Sequence, residues 1–331
     1  MEPTTAEQYR RFASREARGS SPLYEQLASG VAGDPDLIAL LSSLPLAKRQ
    51  PNLLFAAARY VAGTPADYQD FRRSVLDHRD AVVATMLSRR TQTNEAARCA
   101  ALYPLLAALP QPLALLEVGA SAGLCLLPDR YGYDYDGRLA GDVDSPLRLS
   151  CRTEGEPRFA VPGFFGPGFF GPGAVTVAWR AGIDLNPLDV TDPDDVRWLR
   201  TLVWPEQHDR LRRLDTAIDV ARADPPRVVR GDLNARLGEV AAQAPAHATL
   251  VVFHTAVLYY VPDAERATFV EQVQRLDGHW IAQEDPGVLP GVDARLHERP
   301  PADVVTYALA LDGHPVAFSA MHGGRFRWLS A

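Results

Sequence analysis

Residues 1–110 carry apolar positions at helical spacing and show no strand-like alternation. Short apolar runs such as PLYEQLASGVAG, DPDLIALLSSL and PNLLFAAARYVAG are separated by Gly or Pro. This spacing is typical of amphipathic helices, whose ends Gly and Pro mark. Thr4 or Thr5 is positioned to cap the first helix, and Thr93 or Asn94 the last, TNEAARCAALYPLLAAL. The pattern therefore predicts an all-helical N-terminal cap.

Residues 111–331 change character, because short runs of β-forming residues alternate with longer helical stretches. The strand candidates are LALLEVGA, VTVAWRAGID, PRVVRGDL, ATLVVFHTAV and HWIAQED. Strands that alternate with helices indicate βαβ units and a parallel sheet. The closing segment VVTYALALDGHPVAFSA lacks a helix and predicts an antiparallel hairpin with a strand at the sheet edge. We therefore predict a Rossmann-like, doubly wound, mostly parallel α/β sheet whose last strand is antiparallel.

Residues 129–173 interrupt this order and are rich in Tyr, Gly, Asp and Pro. They contain the tandem repeat PGFFG-PGFFG-PG, with Phe164, Phe165, Phe169 and Phe170 between the glycines. Pro and Gly at this density do not sustain regular secondary structure, so the sequence predicts an irregular insertion. Two interpretations stay open: a surface loop expanded by duplication, or a lid whose phenylalanines cover a substrate.

A buried strand is predicted to run into a turn of small residues that reads Gly-Ala-Ser-Ala-Gly. Gly119 permits a sharp bend, and Ala120 and Ser121 keep the turn small enough for a ligand to approach its backbone. Gly123 is expected to open a helix, whose first amides favour anionic or polar groups. Because open α/β sheets bind ligands at the carboxyl ends of their strands, the sequence predicts a ligand site at this turn.

Composition limits the kind of partner. The 331 residues carry a formal net charge of −7, which argues against a generic nucleic-acid binder. The N-terminus is polar, and no apolar run reaches the roughly 18 residues that a membrane helix needs. The three cysteines form no CxxC pair, and no His-x-x-x-His spacing occurs, so we expect no metal. The expectation is a cytoplasmic protein that acts on a small molecule, without nucleic-acid or membrane partners.

The segment LLEVGASAGL resembles the first motif of class I S-adenosylmethionine-dependent methyltransferases, the E/D-x-G-x-G-x-G strand, turn and helix. Later segments follow the order of that superfamily, so the resemblance covers residues 113–331 and excludes the helical cap. Ser121 stands where the family has its middle glycine, which is a departure from the motif. The resemblance implies a methyltransferase-like fold, S-adenosylmethionine as cofactor, and methyl transfer to a small-molecule acceptor.

The resemblance also implies which residues hold the cofactor. They are Glu117, Gly119, Ala120, Ser121, Gly123, Asp184, Asp232 and Leu233. Asp184 matches the family residue that binds the ribose hydroxyls, and Asp232 matches the position beside the adenine. Asp184 lies 61 residues after Gly123 (184 − 123), where roughly 20 is usual, and the insertion accounts for the difference. Alternatively, residues 147–155 form the second strand and Glu154 is the ribose ligand.

Two residues near the expected methyl donor are candidates for catalysis. His254 ends a predicted central strand, and its ordinary pKa of about 6.5 suits a general base. Tyr259 lies in the following loop and could stack on a ring. A half-buried histidine bonded to backbone and a tyrosine packed in the core are the competing interpretations. Four further residues are expected to contact the substrate: Arg90, Gln92, Asn94 and Glu284.

Two other functions stay open. Gly-Ala-Ser-Ala-Gly also matches the G-x-S-x-G nucleophile elbow of α/β-hydrolases, with Ser121 as nucleophile and Asp285 and His322 as its acid and base. That elbow normally follows the fifth strand, and here it follows the first, which argues against a hydrolase. The remaining alternative is a methyltransferase-like module that binds a nucleoside-type ligand or a partner without catalysis.

The whole chain also resembles an uncharacterised bacterial family, a domain of unknown function. The shared segments are SRRTQTNEAARCAALYPLL, LLEVGASAGL, RYGYDYDG, GIDLNPLDV, VWPEQ and HGGRFRW. This second resemblance implies no activity.

Overall fold

A computed structural model of the chain describes residues 4–92, 94–155, 174–301 and 305–329. The α-helices are α1 Thr5–Phe12, α2 Pro22–Ala32, α3 Pro35–Ser42, α4 Pro51–Ala62, α5 Tyr68–Asp77, α6 Arg79–Ser88, α7 Cys99–Ala108, α8 Pro193–Leu202, α9 His208–Ala223, α10 Leu233–Ala241, α11 Asp263–Gln274 and α12 Pro290–Asp293. The strands are β1 Leu113–Val118, β2 Gly132–Tyr135, β3 Arg138–Gly141, β4 Arg148–Glu154, β5 Val177–Asp184, β6 Val228–Arg230, β7 Thr249–Thr255, β8 His279–Glu284, β9 Thr306–Leu311, β10 His314–Ala320 and β11 Arg325–Trp328. Within these described ranges, no helix has the length and apolarity required to cross a bilayer.

The chain divides into two compact units, residues 1–93 with 192–215 and residues 94–191 with 216–331. The first unit is built from helices, as the spacing of its apolar residues predicts. Thr4 caps α1 in a capping box, because its side chain accepts from the Glu7 amide while the Glu7 carboxylate accepts from the Thr4 amide. The domain boundary placed between residues 110 and 111 stays a prediction.

The second unit holds an eleven-stranded sheet in the order β3-β2-β4-β11-β10-β9-β8-β7-β1-β5-β6. Parallel pairings outnumber antiparallel ones by six to four. The chain is therefore an α/β protein with N-terminal helices and a mixed, mostly parallel sheet. All five strands predicted from the alternating pattern form, namely β1, β5, β6, β7 and β8.

These five parallel strands lie in the spatial order β6-β5-β1-β7-β8. By chain position they are the third, second, first, fourth and fifth of the group. The strand order therefore reverses between β1 and β7. Open α/β sheets bind ligands outside the carboxyl ends of their strands at such a reversal. The fold therefore directs attention to the ends of β1, β7 and their neighbours.

The two faces of the central strands differ. One face carries Leu116, Val118 and Val252, which pack with Leu237 of α10 and Phe269 of α11 in a buried apolar core. Side chains alternate along a strand, so the neighbouring positions point to the opposite face. There the positions near the carboxyl ends are polar instead of aliphatic: Glu117 on β1, Thr255 on β7 and Gln283 on β8.

Two parts of the sheet differ from the sequence-based expectation. The hairpin of β9 and β10 forms with its turn at Asp312 and Gly313, but it is not at an edge, because β11, β4, β2 and β3 continue the sheet beyond it. The prediction of an irregular insertion is also wrong for residues 132–154, because this segment contains β2, β3 and β4. Alternating buried Tyr133 and Tyr135 stabilise that region despite its glycines. The PGFFG repeat and its four phenylalanines lie outside the described residues.

Candidate functional site

Polar side chains gather at the carboxyl ends of the strands on either side of the order reversal. We call this cluster the switch-point site, and its members are Arg98, Glu117, Thr255, Gln283, Asp285 and Tyr307. They come from the 3₁₀ turn Ala96–Arg98 before α7 and from β1, β7, β8 with the residue after it, and β9. The glycine turn after β1 adjoins this site.

Backbone groups of β5 and of the turn itself satisfy three amides of the glycine turn. The amides of Gly119 and Ala120 donate to the Ile183 carbonyl at 2.8 and 3.2 Å, and the Gly123 amide donates to the Ala120 carbonyl at 2.7 Å. Gly123 has a left-handed φ of 71°, and a 3₁₀ turn, Leu124–Leu126, follows it. The prediction that a helix opens at Gly123 is therefore wrong, because a residue in the left-handed conformation redirects the chain instead of starting an α-helix.

Side chains take up the remaining amides of the turn. The Ser121 amide donates to Asp184 Oδ2 at 2.8 Å, and the Ala122 amide donates to Asn94 Oδ1 at 2.9 Å. Asn94 Nδ2 in turn donates to Ser121 Oγ at 2.7 Å. The expectation that these amides lie open to a ligand is wrong for this conformation, because Asp184 and Asn94 already satisfy them.

The sheet order distinguishes Asp184 from Glu154, the two candidates for the ribose ligand. β5 pairs in parallel with β1, and Val118 lies opposite Ile183, so Asp184 ends the neighbouring strand. Residues 147–155 do form a strand, β4, but it pairs with β2 and β11, far from β1 in the sheet order. Asp184 and not Glu154 therefore lies at the position that the resemblance assigns to the ribose ligand.

Asn94 does not cap the helix that follows it. The Ala97 amide instead donates to Glu95 Oε1 at 3.2 Å, at the start of the 3₁₀ turn that leads into α7. The amide group of Asn94 is engaged by the glycine turn. Thr93, the other candidate cap, lies outside the described residues. The sequence pattern located the helix start, but it assigned Asn94 the wrong partner.

Glu117 is a buried carboxyl group at the end of β1. It is 3% exposed, and its Oε2 has no hydrogen-bond partner in the described part of the chain. Burial raises the pKa of Glu117 well above its ordinary value of 4.5, Cys125 raises it further, and the Arg98 guanidinium acts in the opposite direction. An unsatisfied buried carboxyl is costly, which makes Glu117 a candidate ligand contact.

Three further members of the switch-point site lie on β8 and β9 or directly after β8. Gln283 Nε2 donates to Ser319 Oγ at 2.7 Å, and Gln283 Oε1 is buried with no hydrogen-bond partner among the described residues. Asp285 is half-buried, and burial together with the adjacent Glu284 raises the pKa of its carboxyl. Burial also raises the pKa of Tyr307 to about 12, against the opposing effect of Arg98, so its hydroxyl stays neutral at physiological pH.

His254 is sealed in the core by two partners. It is 0% exposed, and its Nε2 lies 3.0 Å from the indole Nε1 of Trp280. An indole nitrogen can only donate, so Nε2 accepts and Nδ1 carries the proton, which it donates to Glu284 Oε1 at 2.6 Å. Neither ring nitrogen can take a proton from a substrate in this arrangement. We assign His254 a positioning role in place of the general-base role that the sequence suggested.

Glu284, expected to contact the substrate, holds the loop after β7. Its Oε1 accepts from the amides of Val257 and Leu258 at 2.9 and 3.0 Å, in addition to the His254 proton. The Val257 side chain lies directly against Gly119, where a Cβ would meet its Cγ2 at 2.3 Å. Glu284 therefore fixes the loop that faces the glycine turn.

Asp232 and Leu233 lie at the end of β6. Asp232 caps α10, because its Oδ1 accepts from the amides of Asn234 and Ala235 at 2.9 and 3.1 Å. Leu233 is buried in the core under the sheet. Both residues have local structural roles in this conformation, and their contact with an adenine stays a prediction.

Tyr259, Arg90 and Gln92 are the remaining candidates. Tyr259 is 43% exposed, and its ring lies 3.8 Å from that of Tyr260, so it is not packed in the core as one interpretation held. Arg90 and Gln92 belong to the first unit, where the Arg90 carbonyl accepts from the indole of Trp198. Their predicted contact with a substrate is untested.

Ser121 has the backbone of a strained nucleophile, but its hydroxyl lacks a hydrogen-bonded base. Its φ is 51°, a left-handed value. Its Oγ accepts from the Asn94 side-chain amide, which cannot take up a proton. In the described ranges, Ser121 makes no hydrogen bond to Asp285 or His322, so the geometry gives the hydrolase interpretation no support.

Sequence reasoning missed Arg98, Thr255, Gln283 and Tyr307 as site residues. A usable signal existed for two of them, because Arg98 is the one charged residue between Ala96 and Leu109 and Gln283 is a polar residue within a buried strand. Such residues are rarely fully buried without a reason. Thr255 and Tyr307 carry no comparable signal.

Glu117→Gln should change how stability depends on pH. The pKa of Glu117 is raised in the folded state. The neutral carboxyl therefore contributes its full stability below about pH 4.5, and this contribution is lost as pH rises through the folded-state pKa. The free energy of unfolding of the wild type should therefore fall relative to the Gln variant by up to about 1.4 kcal/mol per pH unit. Urea denaturation of both proteins from pH 5 to pH 8 measures this, and a pH-independent difference would contradict the assignment.

In the described residues, no group of three or more His, Cys, Asp or Glu side chains is arranged to hold a metal ion.

Comparison with known proteins places the chain in a family. No curated protein matches the chain. The family described as "Uncharacterized protein conserved in bacteria (DUF2332)" matches residues 6–328, a range that includes the whole switch-point site. This match confirms the second resemblance, and the chain belongs to that bacterial family, DUF2332.

Proposed function

We propose that this protein binds S-adenosylmethionine at the switch-point site and transfers its methyl group to a small molecule. The observation that carries the proposal is Glu117, a buried carboxyl whose Oε2 lacks a donor in the described part of the chain. Leaving such a group unsatisfied costs roughly 1–3 kcal/mol, and a ligand ammonium placed against it recovers that cost. The methionyl amine of S-adenosylmethionine is a group of this kind.

Two further features support the fit of this cofactor. The site lies at the reversal of a doubly wound sheet, where nucleoside ligands bind in such folds. Asp184 ends the strand next to β1, and a carboxylate oxygen can accept more than one hydrogen bond, so its contact with Ser121 is compatible with a ribose role. The covered turn amides do not contribute to the fit.

The protein's own part in the reaction is alignment and proton removal. S-adenosylmethionine, when bound, supplies an electrophilic methyl group on a sulfonium whose departure leaves a neutral thioether. The side chains of the site would orient the acceptor and exclude water. With His254 engaged by Trp280 and Glu284, Asp285 is the carboxylate available to receive an acceptor proton, and its raised pKa makes it a better base.

Calorimetry with S-adenosylmethionine and S-adenosylhomocysteine tests the proposal. We expect both to bind the wild type, and ligand at about 100 times the dissociation constant should add roughly 2.7 kcal/mol of unfolding free energy. Glu117→Gln should weaken binding about tenfold or more, because an amide replaces the ionic partner of the amine. Glu271→Gln, at an exposed position of α11, should bind like the wild type.

Absence of binding by both nucleosides would reject the proposal. Binding with no S-adenosylhomocysteine formed from S-adenosylmethionine, over a broad panel of small-molecule acceptors, would favour the binding module without catalysis. Unchanged affinity in Glu117→Gln would show that the cofactor does not use this carboxyl.

A further inference from the structure

The switch-point site contains a buried guanidinium that touches no counter-ion. Arg98 is 4% exposed, and none of the carboxylates in the described ranges lies within 4.0 Å of it. Its Nε donates to the Met321 carbonyl at 3.1 Å, and its Nη1 donates to the carbonyl and Oγ1 of Thr255 at 2.9 and 3.2 Å. All of these acceptors are neutral, and Arg side chains are almost never fully buried unless paired.

The surroundings hold the guanidinium in one orientation. Its Cζ lies 5.6 Å from the centre of the Tyr307 ring, which adds a cation–π contact. Gly323 lets the chain before Arg98 approach closely, since a Cβ there would meet the Ala97 carbonyl oxygen at 2.3 Å. Nη2 makes no hydrogen bond in the described part of the chain. A fixed cation therefore has one nitrogen available and no negative partner in contact.

We propose that Arg98 binds a carboxylate group of the ligand, so that the molecules this protein takes are carboxylic acids. A carboxylate can accept from the N–H groups of Nη2 and would place a negative charge in contact with the guanidinium, which none of its protein acceptors does. A phosphate dianion fits less well, because only one cation is present and the Glu117 and Asp285 carboxyl groups lie in the same cluster. The inference deepens the proposed function and rests on it for the identity of the nucleoside.

The carboxylate has two possible sources, the methionyl group of the cofactor or the methyl acceptor. Calorimetry with S-adenosylhomocysteine and with its decarboxylated analogue, which keeps the amine, tests the first. If the cofactor is the source, the wild type should bind the intact nucleoside roughly 10- to 100-fold more tightly. In Arg98→Lys that difference should largely disappear, because the single lysine nitrogen does not place a donor where Nη2 lies. Arg275→Lys, at the exposed residue directly after α11, is the matched control and should behave like the wild type.

A second arm tests the acceptor as the source. If the acceptor carries the carboxylate, both nucleosides should bind the wild type equally, and sodium acetate should raise its melting temperature relative to sodium chloride at equal ionic strength. Arg98→Lys should lose the acetate effect. Should that variant fail to fold, Thr255→Val keeps the charge but removes one acceptor that orients it, and it should reduce whichever effect the wild type shows.

The outcomes separate the two hypotheses. If neither nucleoside binds while acetate stabilises the wild type and not Arg98→Lys, the cofactor proposal fails and the carboxylate site stands. If the nucleosides bind equally and acetate has no specific effect, the carboxylate site is overturned and the cofactor proposal stands.

Discussion

Glu284→Leu is expected to lower the free energy of unfolding by about 3–5 kcal/mol, because it breaks a buried pair and leaves several donors unsatisfied. In the native protein, Oε1 of Glu284 accepts from the His254 ring and from the amides of Val257 and Leu258. Leucine fills a similar volume but accepts no hydrogen bond. Each buried donor left without a partner costs roughly 1–3 kcal/mol.

Urea denaturation at pH 7 measures this loss, and Glu284→Gln sharpens its interpretation. The amide oxygen of glutamine can take the place of Oε1, so only the charge is lost, and we expect a smaller decrease of about 1–2 kcal/mol. Glu271→Leu, on the exposed face of α11, should change stability by about 0.5 kcal/mol or less. A loss below about 1 kcal/mol in Glu284→Leu would mean that water or a rearranged loop satisfies the three donors.

The sheet could be predicted from the sequence where strands are buried on both faces. β1, β7 and β8 are short, largely apolar or β-branched runs, which is the pattern of central parallel strands. β2 and β3 were missed because glycine and aspartate suggest turns, whereas the burial of alternating tyrosines outweighs those local preferences. β4 was foreseen only as the alternative strand at residues 147–155. Local preference is a weak guide wherever long-range burial opposes it.

The sequence could predict only those parts of the site whose positions are set by the order of the strands. The motif located Glu117 and Asp184 correctly at the ends of adjacent strands, since that placement depends on strand order. Whether the amides of the glycine turn are open depends on Asn94 and Asp184, which come from 28 and 63 residues away in sequence. No local pattern encodes those side-chain positions.

Arg98 illustrates the same limit. Its hydrogen-bond partners Thr255 and Met321 are 157 and 223 residues away along the chain. Only the folded sheet brings these groups together, so the sequence could mark Arg98 as unusual but could not assign it a role. The same holds for His254, whose chemistry is set by Trp280 and Glu284 on the next strand.

Gly119→Ala is expected to lower the free energy of unfolding by about 2–5 kcal/mol, from two separable causes. Gly119 has a left-handed φ of 72°, which costs an L-residue about 1–2 kcal/mol. An added Cβ would also lie 2.3 and 2.7 Å from the two methyl groups of Val257, and such overpacking typically costs about 1–3 kcal/mol. Gly137 provides the matched control, with a φ of 88° and nothing within 4 Å of an added Cβ.

The contrast between the two glycines isolates the contact between the glycine turn and the loop after β7. Gly137→Ala should lower the free energy of unfolding only by the cost of the left-handed conformation, about 1–2 kcal/mol. Combining Gly119→Ala with Val257→Ala should recover the steric part and give a favourable coupling energy in a double-mutant cycle, measured by urea denaturation. Equal losses in the two single variants would show that the loop yields to the methyl group. Because Glu284 anchors that loop through the Val257 and Leu258 amides, the coupling should also shrink in a Glu284→Leu background, which removes the acceptor.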